Sequence, residues 1–258
     1  MSKFLQNPGS LHWEAILHAI GFLSANQNEY LEYRRSVNFD GIFYLFTMVD
    51  ADLGGDHVRG KNGSSVMSGV TFVNGSHCYS YSKSIKAVCM ATHHSEYYAL
   101  TEGSQMTIWI ASVLRGLQLR VVFPCPVVAD NQSALATACV PETKSSRHIH
   151  LREHWIRDVL ELGDLVLGFI PGPLNAANVG TKILAGPQFK KESNWYLRGI
   201  HDVKYQDQIR PTLREVFLRS FQWNHICEQR RLKREAAELK TAAAKKSKQM
   251  DPTEPAAR

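Results

Sequence analysis

What most constrains this chain is the order in which two hydrophobic periods alternate along it. Between Gly41 and Asp50 the run IFYLFTMV is short, apolar and aromatic, as a buried strand is. VTFV and HCYSY, within Ser68 to Lys83, are β-rich runs split by the turn dipeptide Asn74-Gly75 and predict a hairpin. Thr92 then caps a predicted long helix reaching about Leu117, with Tyr97, Leu100, Met106, Ile108, Ile110, Val113 and Leu114 as its apolar surface. PVVAD reads as a strand, NQSALATACV and HIHLREHWIRDVLELG as helices, DLVLGFIPG as a strand and NAANVGTKIL as helical. The order β, β-hairpin, α, β, α, α, β, α predicts an α/β layer architecture, with helices laid against one mixed sheet.

Three acids stand at telling places in that order. Asp50 is expected at the end of the first strand, Glu96 in the first turn of the long helix, and Asp130 at the end of the PVVAD strand. Groups leaving the carboxyl ends of strands in an open α/β sheet converge on one crevice. Converging carboxylates repel unless cations neutralise them, and hard oxygen donors suit Mg²⁺ or Mn²⁺. Two such ions can activate water and stabilise a leaving oxygen in phosphodiester hydrolysis. Asp52, two residues beyond Asp50, reads more simply as a polar contact at a strand end.

Upstream, Ser10 is expected to cap a packing helix carrying Trp13, Ile16, Leu17, Ile20 and Leu23 at helical spacing. Charge divides the chain as clearly as periodicity does. Residues 1–203 hold 17 Lys+Arg against 17 Asp+Glu and residues 204–258 hold 13 against 7, so the entire formal +6 sits in the tail. There, Leu213, Val216, Phe217, Phe221 and Ile226 form an apolar stripe. Arg230, Arg231, Lys233, Arg234, Lys240, Lys245, Lys246 and Lys248 follow among alanines, a composition suited to an exposed helix able to bind phosphate.

The five cysteines (Cys78, Cys89, Cys125, Cys139 and Cys227) form no CxxC pair, which argues against a disulfide framework or zinc knuckle and for reduced, mostly buried thiols. No apolar run approaches the ~20 residues of a membrane span. The start MSKFLQNPGS has neither a secretory h-region nor an Arg-rich presequence, so an intracellular protein is expected.

Several runs together carry a resemblance. FLQNPGSLHWEAILHAIGFL is similar to the connection that follows the reverse transcriptase in copia-type retrotransposon polyproteins. DADLGGD, SGVTFVNG, HSEYYAL, VVADNQSA, RHIHLREHWIRD and NAANVGTK then follow in that family's order over residues 3–203. The resemblance implies a ribonuclease H-like mixed five-stranded sheet with flanking helices, and two-metal cleavage of RNA in RNA–DNA hybrids. It also implies that Asp50, Glu96 and Asp130 are metal-binding acids and that Gln132 approaches a nucleic-acid minor groove. With Met1 falling at the connection, a retrotransposon fragment made as an independent chain is expected. The implied boundaries are a connection-like N-terminal helix (1–40), the ribonuclease H-like domain (41–203) and an added helical tail (204–258).

The departures are as informative. The family's fourth acid falls in N-x-A-D-x-x-T-K, here NAANVGTK, so Asn178 stands where aspartate is expected. His150 and His94 replace family acids, Leu53 and Ser80 replace tryptophans, and the loop after Asp52 is lengthened. His148, His150 and His154 have metal-like spacing, but His148 and His154 match family positions and read as packing or surface contacts. A neutral amide holds a hard cation less well than a carboxylate. The expected protein is therefore a catalytically weakened domain, with Mg²⁺ or Mn²⁺ held weakly. It is expected to serve as an RNA-binding or scaffold subunit beside other proteins in a ribonucleoprotein assembly such as an organellar ribosome. The alternatives are a working ribonuclease H acting on RNA–DNA hybrid, and a protein-interaction module that never meets nucleic acid. No membrane and no small-molecule substrate is expected.

Overall fold

A computed structural model describes residues 5–34, 40–56, 63–139, 151–199 and 214–215. The chain order is α1 (Ser10–Ala25), β1 (Ile42–Phe43), β2 (Leu45–Asp56), β3 (Ser64–Val73), β4 (Ser76–Ser84), α2 (Thr92–Gly116), β5 (Arg120–Val121), β6 (Cys125–Ala129), α3 (Gln132–Cys139), α4 (Leu151–Leu162), β7 (Leu165–Phe169), two 3-10 turns (Gly172–Leu174 and Ala176–Gly180) and α5 (Gly186–Arg198). Five strands form one sheet in the order β4-β3-β2-β6-β7. The β2–β3 and β3–β4 pairs are antiparallel and the β2–β6 and β6–β7 pairs parallel, giving the mixed ribonuclease H-like sheet. β1 and β5 make a separate short parallel pair.

β2 lies at the centre, which is why its first half, Leu45–Val49, is buried on both faces and apolar but for Thr47. Leu45, Val49 and Ala51 enter the core beneath α2, while Phe46 and Met48 face the opposite cluster with Phe72, Val128, Ile170 and Trp195. α2 lies close against the sheet because Gly103 has no side chain; a Cβ there would meet Val49 Cγ1 at 2.3 Å. At that contact the Thr47 hydroxyl bonds to those of Thr71 and Thr107, and Thr107 donates to Gly103 O, so these three buried hydroxyls are satisfied. The hairpin turn lies where the Asn74-Gly75 signal put it, both residues having positive φ (49° and 83°), the type I′ requirement.

Several expectations need correction. β2 does not stop at Asp50 but runs on to Asp56, because β3 continues to supply ladder partners after β6 has ended at Ala129. Thr92 and Ser10 are first helical residues, not caps; Ala91 and Gly9 hold the cap positions, so Glu96 begins the second turn. The NAANVGTKIL segment is a 3-10 turn over Ala176–Gly180 rather than an α-helix. Gly180 there lies so close to β3 that a Cβ would meet Ser68 Oγ at 2.1 Å.

α1 is not a packing helix: none of its residues is buried, and its described ring contact is Phe22 edge-on to Phe189 of α5 at 5.7 Å. Helical spacing specifies a stripe but not the surface that covers it. α5, with buried Glu192 and Trp195, was not foreseen as an element. Cys78, Cys89, Cys125 and Cys139 are free thiols as expected, but of these only Cys125 is buried. Among the described residues, no helix is long and apolar enough to cross a membrane. Cys227, the 213–226 stripe, the basic run and the side chains of His148, His150 and His154 lie outside the described residues.

Candidate metal centre

The ladder between β2 and β6 fixes two of the acids. Met48 is paired with Val128, so Asp50, two residues on, and Asp130, just past the end of β6, arrive side by side. α2 brings Glu96 over the same strand end, where it accepts a hydrogen bond from the Ala51 backbone N–H. Asp50, Glu96 and Asp130 each present an oxygen within 4.8 Å of the others. Asp50 and Glu96 are buried and Asp130 half-buried.

Such crowding changes the chemistry of the acids. Burial, together with the charges of Asp50 and Asp130, pushes Glu96 up to about 8. Asp50 is also raised by burial, against the opposing pull of the Thr181 hydrogen bond and the Lys182 ammonium. Asp130 is raised by burial and eased by Lys182. Glu96 Oε2 is buried without a hydrogen-bond partner. An orphaned oxygen among three converging carboxylates is a donor set that fits a hard divalent cation.

The position where the resemblance implies a fourth acid, Asn178, is differently built. Asn175, at the start of the second 3-10 turn, donates to Val49 O at 2.8 Å and accepts from Ala177 N at 3.1 Å, which pins the turn against β2. Asn178 is thereby held beside the cluster, its Nδ2 donating to Gly172 O at 2.7 Å and its Oδ1 accepting from Lys182 Nζ at 2.9 Å. Thr181 Oγ1 donates to Asp50 Oδ2 and to Asn178 O. Lys182 Nζ stands 3.5 Å from the same Asp50 oxygen.

Thr181 and Lys182 received no role from sequence reasoning, although both lie in the T-K pair that closes the NAANVGTK run. Asp52 is half-buried in β2 and outside the three-acid group. Gln132 is exposed at the first residue of α3, whose start is capped by Asn131 Oδ1 accepting from Ala134 N. His94 packs its ring against Tyr98, centroids 5.1 Å apart, and is not part of the cluster.

No family model matches the chain. Among curated proteins it is 32% identical over 202 residues to the retrovirus-related Pol polyprotein from transposon TNT 1-94 of Nicotiana tabacum, covering 78% of this chain and 14% of that protein. It is 26% identical over 192 residues to the retrovirus-related Pol polyprotein from transposon RE1 of Arabidopsis thaliana, covering 74% and 13%. Its homologues are thus retrovirus-related Pol polyproteins, and its strand order and pairing are those of a ribonuclease H-like domain. It spans only about one seventh of the length of those Pol polyproteins.

Secreted RxLR effector protein 161 of Plasmopara viticola shares 31% identity with this Pol-type domain over 111 residues, 43% of this chain and 72% of that protein. Of solved structures, LC11-RNase H1 in complex with RNA/DNA hybrid matches 51% of this chain and 88% of its own at 16% identity and TM-score 0.36. LC11-RNase H1 isolated from compost matches 52% and 90% at 18% identity and TM-score 0.39. The fold of the Pol-type domain is carried by its strand order and pairing directions rather than by these superpositions.

Proposed function

We propose that this chain is a ribonuclease H-like domain in which the binding half of the activity persists and hydrolysis is weakened, serving as an RNA-contacting subunit of a ribonucleoprotein assembly. The observation that carries the reading is Asn178: the fourth ligand position is a neutral amide already committed to Gly172 O and Lys182. Asp50, Glu96 and Asp130 are the residues that would hold Mg²⁺ or Mn²⁺, with Thr181 orienting the Asp50 carboxylate. A divalent cation bound there supplies Lewis-acid polarisation of a phosphodiester and a more acidic water. The chain's own part is to hold the three carboxylates together in a half-dry site and to keep water from the Glu96 side. With one carboxylate fewer, that holding power is reduced at the Asn178 side, and hydrolysis of RNA in RNA–DNA hybrid is expected to be slow.

Support for the assembly role comes from the sequence alone, since the basic run 229–248 holds eight Lys+Arg against two acids. The measurement that tests catalysis is hybrid cleavage in Mg²⁺ by the full chain beside Asn178→Asp. Slow cleavage, raised about tenfold by restoring the charged ligand, is the expected result. Brisk metal-dependent cleavage by the unaltered chain, lost in Asp50→Asn, would overturn the weakened reading and make this a working ribonuclease H. Deleting residues 229–258 is expected to lower RNA affinity and flatten its salt dependence. Unchanged affinity and slope would remove the tail from the RNA-binding surface.

A further inference from the structure

The cluster has three carboxylates and a neutral fourth position, yet a cation belonging to the chain already stands at one side of it. Lys182 Nζ is 3.5 Å from Asp50 Oδ2 and donates to Asn178 Oδ1 at 2.9 Å, so the ammonium spans a carboxylate oxygen and an amide oxygen. These are the donor types a hard divalent cation takes. The arrangement is anchored rather than incidental. Thr181, the preceding residue, donates to the same Asp50 oxygen, and the Lys182 backbone N–H donates to Asn178 O at 3.1 Å. Asn178 cannot turn its oxygen elsewhere without giving up the bond from its Nδ2 to Gly172 O. The two charged partners differ in freedom: the Asp50 side chain is 1% exposed, that of Lys182 44%. The lysine can therefore swing its strongly hydrated head into water on a flexible stem, whereas the carboxylate must stay.

We propose that Lys182 is a tethered counter-ion of the Asp50–Glu96–Asp130 cluster, occupying its Asp50–Asn178 side and leaving for solvent when a divalent cation takes that side. This rests on the reading that the cluster holds a divalent cation, and adds what governs its affinity. Nothing covalent changes: one ammonium leaves the carboxylate as one divalent ion arrives. With aspartate at 178 the ammonium and a second cation would have two negative partners to share; with Asn178 they compete for Asp50 alone. Lys182 is thus a residue that tunes affinity, not a catalytic one.

The test is Mn²⁺ titration of the full chain, followed by calorimetry and by the electron paramagnetic resonance signal of free ion. Lys182→Met and Lys182→Gln are expected to bind Mn²⁺ about tenfold more tightly, because a like charge beside the ion has gone. Lys182→Arg, which keeps the charge, is expected to stay near the unaltered chain. In EDTA the Met and Gln variants are expected to melt at lower temperature, since Asp50 loses its counter-ion, and to gain more from saturating Mn²⁺ than the unaltered chain does. Equal or weaker Mn²⁺ binding by both variants, with the unaltered chain binding normally, would overturn the inference and make Lys182 a positioning residue for Asn178. Failure of every variant, Asn178→Asp included, to bind Mn²⁺ would instead overturn the metal reading of the cluster and this inference with it.

Discussion

The two halves of the candidate site are built by different means. Asp50, Asp130 and Glu96 come from β2, β6 and α2, whose positions are set by backbone ladders and by the close approach at Gly103. Asn178, Thr181 and Lys182 come from irregular chain around a 3-10 turn, held by side chains: Asn175 to Val49 O, Met48 Sδ accepting from Ala176 N at 3.3 Å, and Tyr196 Oη donating to Ala176 O at 3.0 Å. None of those anchors uses the residue at 178. The Asn178 amide finds both a donor and an acceptor in its surroundings. The regular half differs, because Asp50 is the acid that every other charged group of the site faces. The neutral member of the site thus stands where those backbone anchors do not use the side chain.

That contrast can be attacked from the turn side first. Trp195 of α5 is buried among Phe46, Phe72, Val128, Ala176 and Ala177, so it covers the surface on which the turn rests. Trp195→Ala is expected to cost about 3–5 kcal/mol of folding stability by urea denaturation. A loss under about 1 kcal/mol would mean that α5 does not hold the turn. On the regular side, Asp50→Asn is expected to lower Mn²⁺ affinity by about 100-fold, since it removes the charge shared by both halves. If calorimetry showed the loss to be no greater than for changing Asn178 to alanine, the two halves would be equivalent and the contrast would fail. Asn175→Ala comes next. Its buried amide serves both Val49 O and Ala177 N, and stranding them is expected to cost about 2 kcal/mol. Mn²⁺ affinity is expected to fall with it if the turn contributes to the site at all.

How much of this was legible in the sequence follows the same division. Strands β2, β3, β4, β6 and β7 and helix α2 were readable because each has a hydrophobic period of its own, and Asn74-Gly75 marked the hairpin through a conformation few residue pairs accept. The three acids could be placed together because β2, β6 and α2 are regular elements, although Asp50 lies within β2 rather than at its end and Glu96 in the second turn of α2. The segment at 176–180 is helical as its sequence suggests, but a short 3-10 turn rather than an α-helix, since its shape depends on Asn175 reaching β2 and on Gly180 lying against Ser68, contacts made across the fold rather than along the chain. Thr181 and Lys182 went unassigned for that reason: an exposed-looking T-K pair reveals its partners only when the turn folds back on Asp50. α5 hid because its charged face, GPQFKKES, dilutes a stripe whose one large buried residue is Trp195.

An effect that is small per pH unit also separates the halves. In the metal-free protein Glu96 rises from its ordinary 4.5 to about 8, first through burial and then through the charges of Asp50 and Asp130. Between those values the folded chain keeps a proton that the unfolded chain has released. Folding stability is therefore greatest below about pH 4.5 as far as this group is concerned, and falls as pH rises, by at most about 1.4 kcal/mol per unit. The decline levels off above about pH 8, where both states are ionised. Asp50 and Asp130, also raised by burial, act in the same direction at lower pH. Urea denaturation at pH 5, 6.5 and 8 in EDTA reads the slope; Glu96→Gln is expected to flatten it, and saturating Mg²⁺ to oppose it, because the cation binds best to the ionised cluster. A slope that survived Glu96→Gln unchanged would place the strain outside the regular half, and the division between an electrostatically loaded core and a neutral turn would not hold.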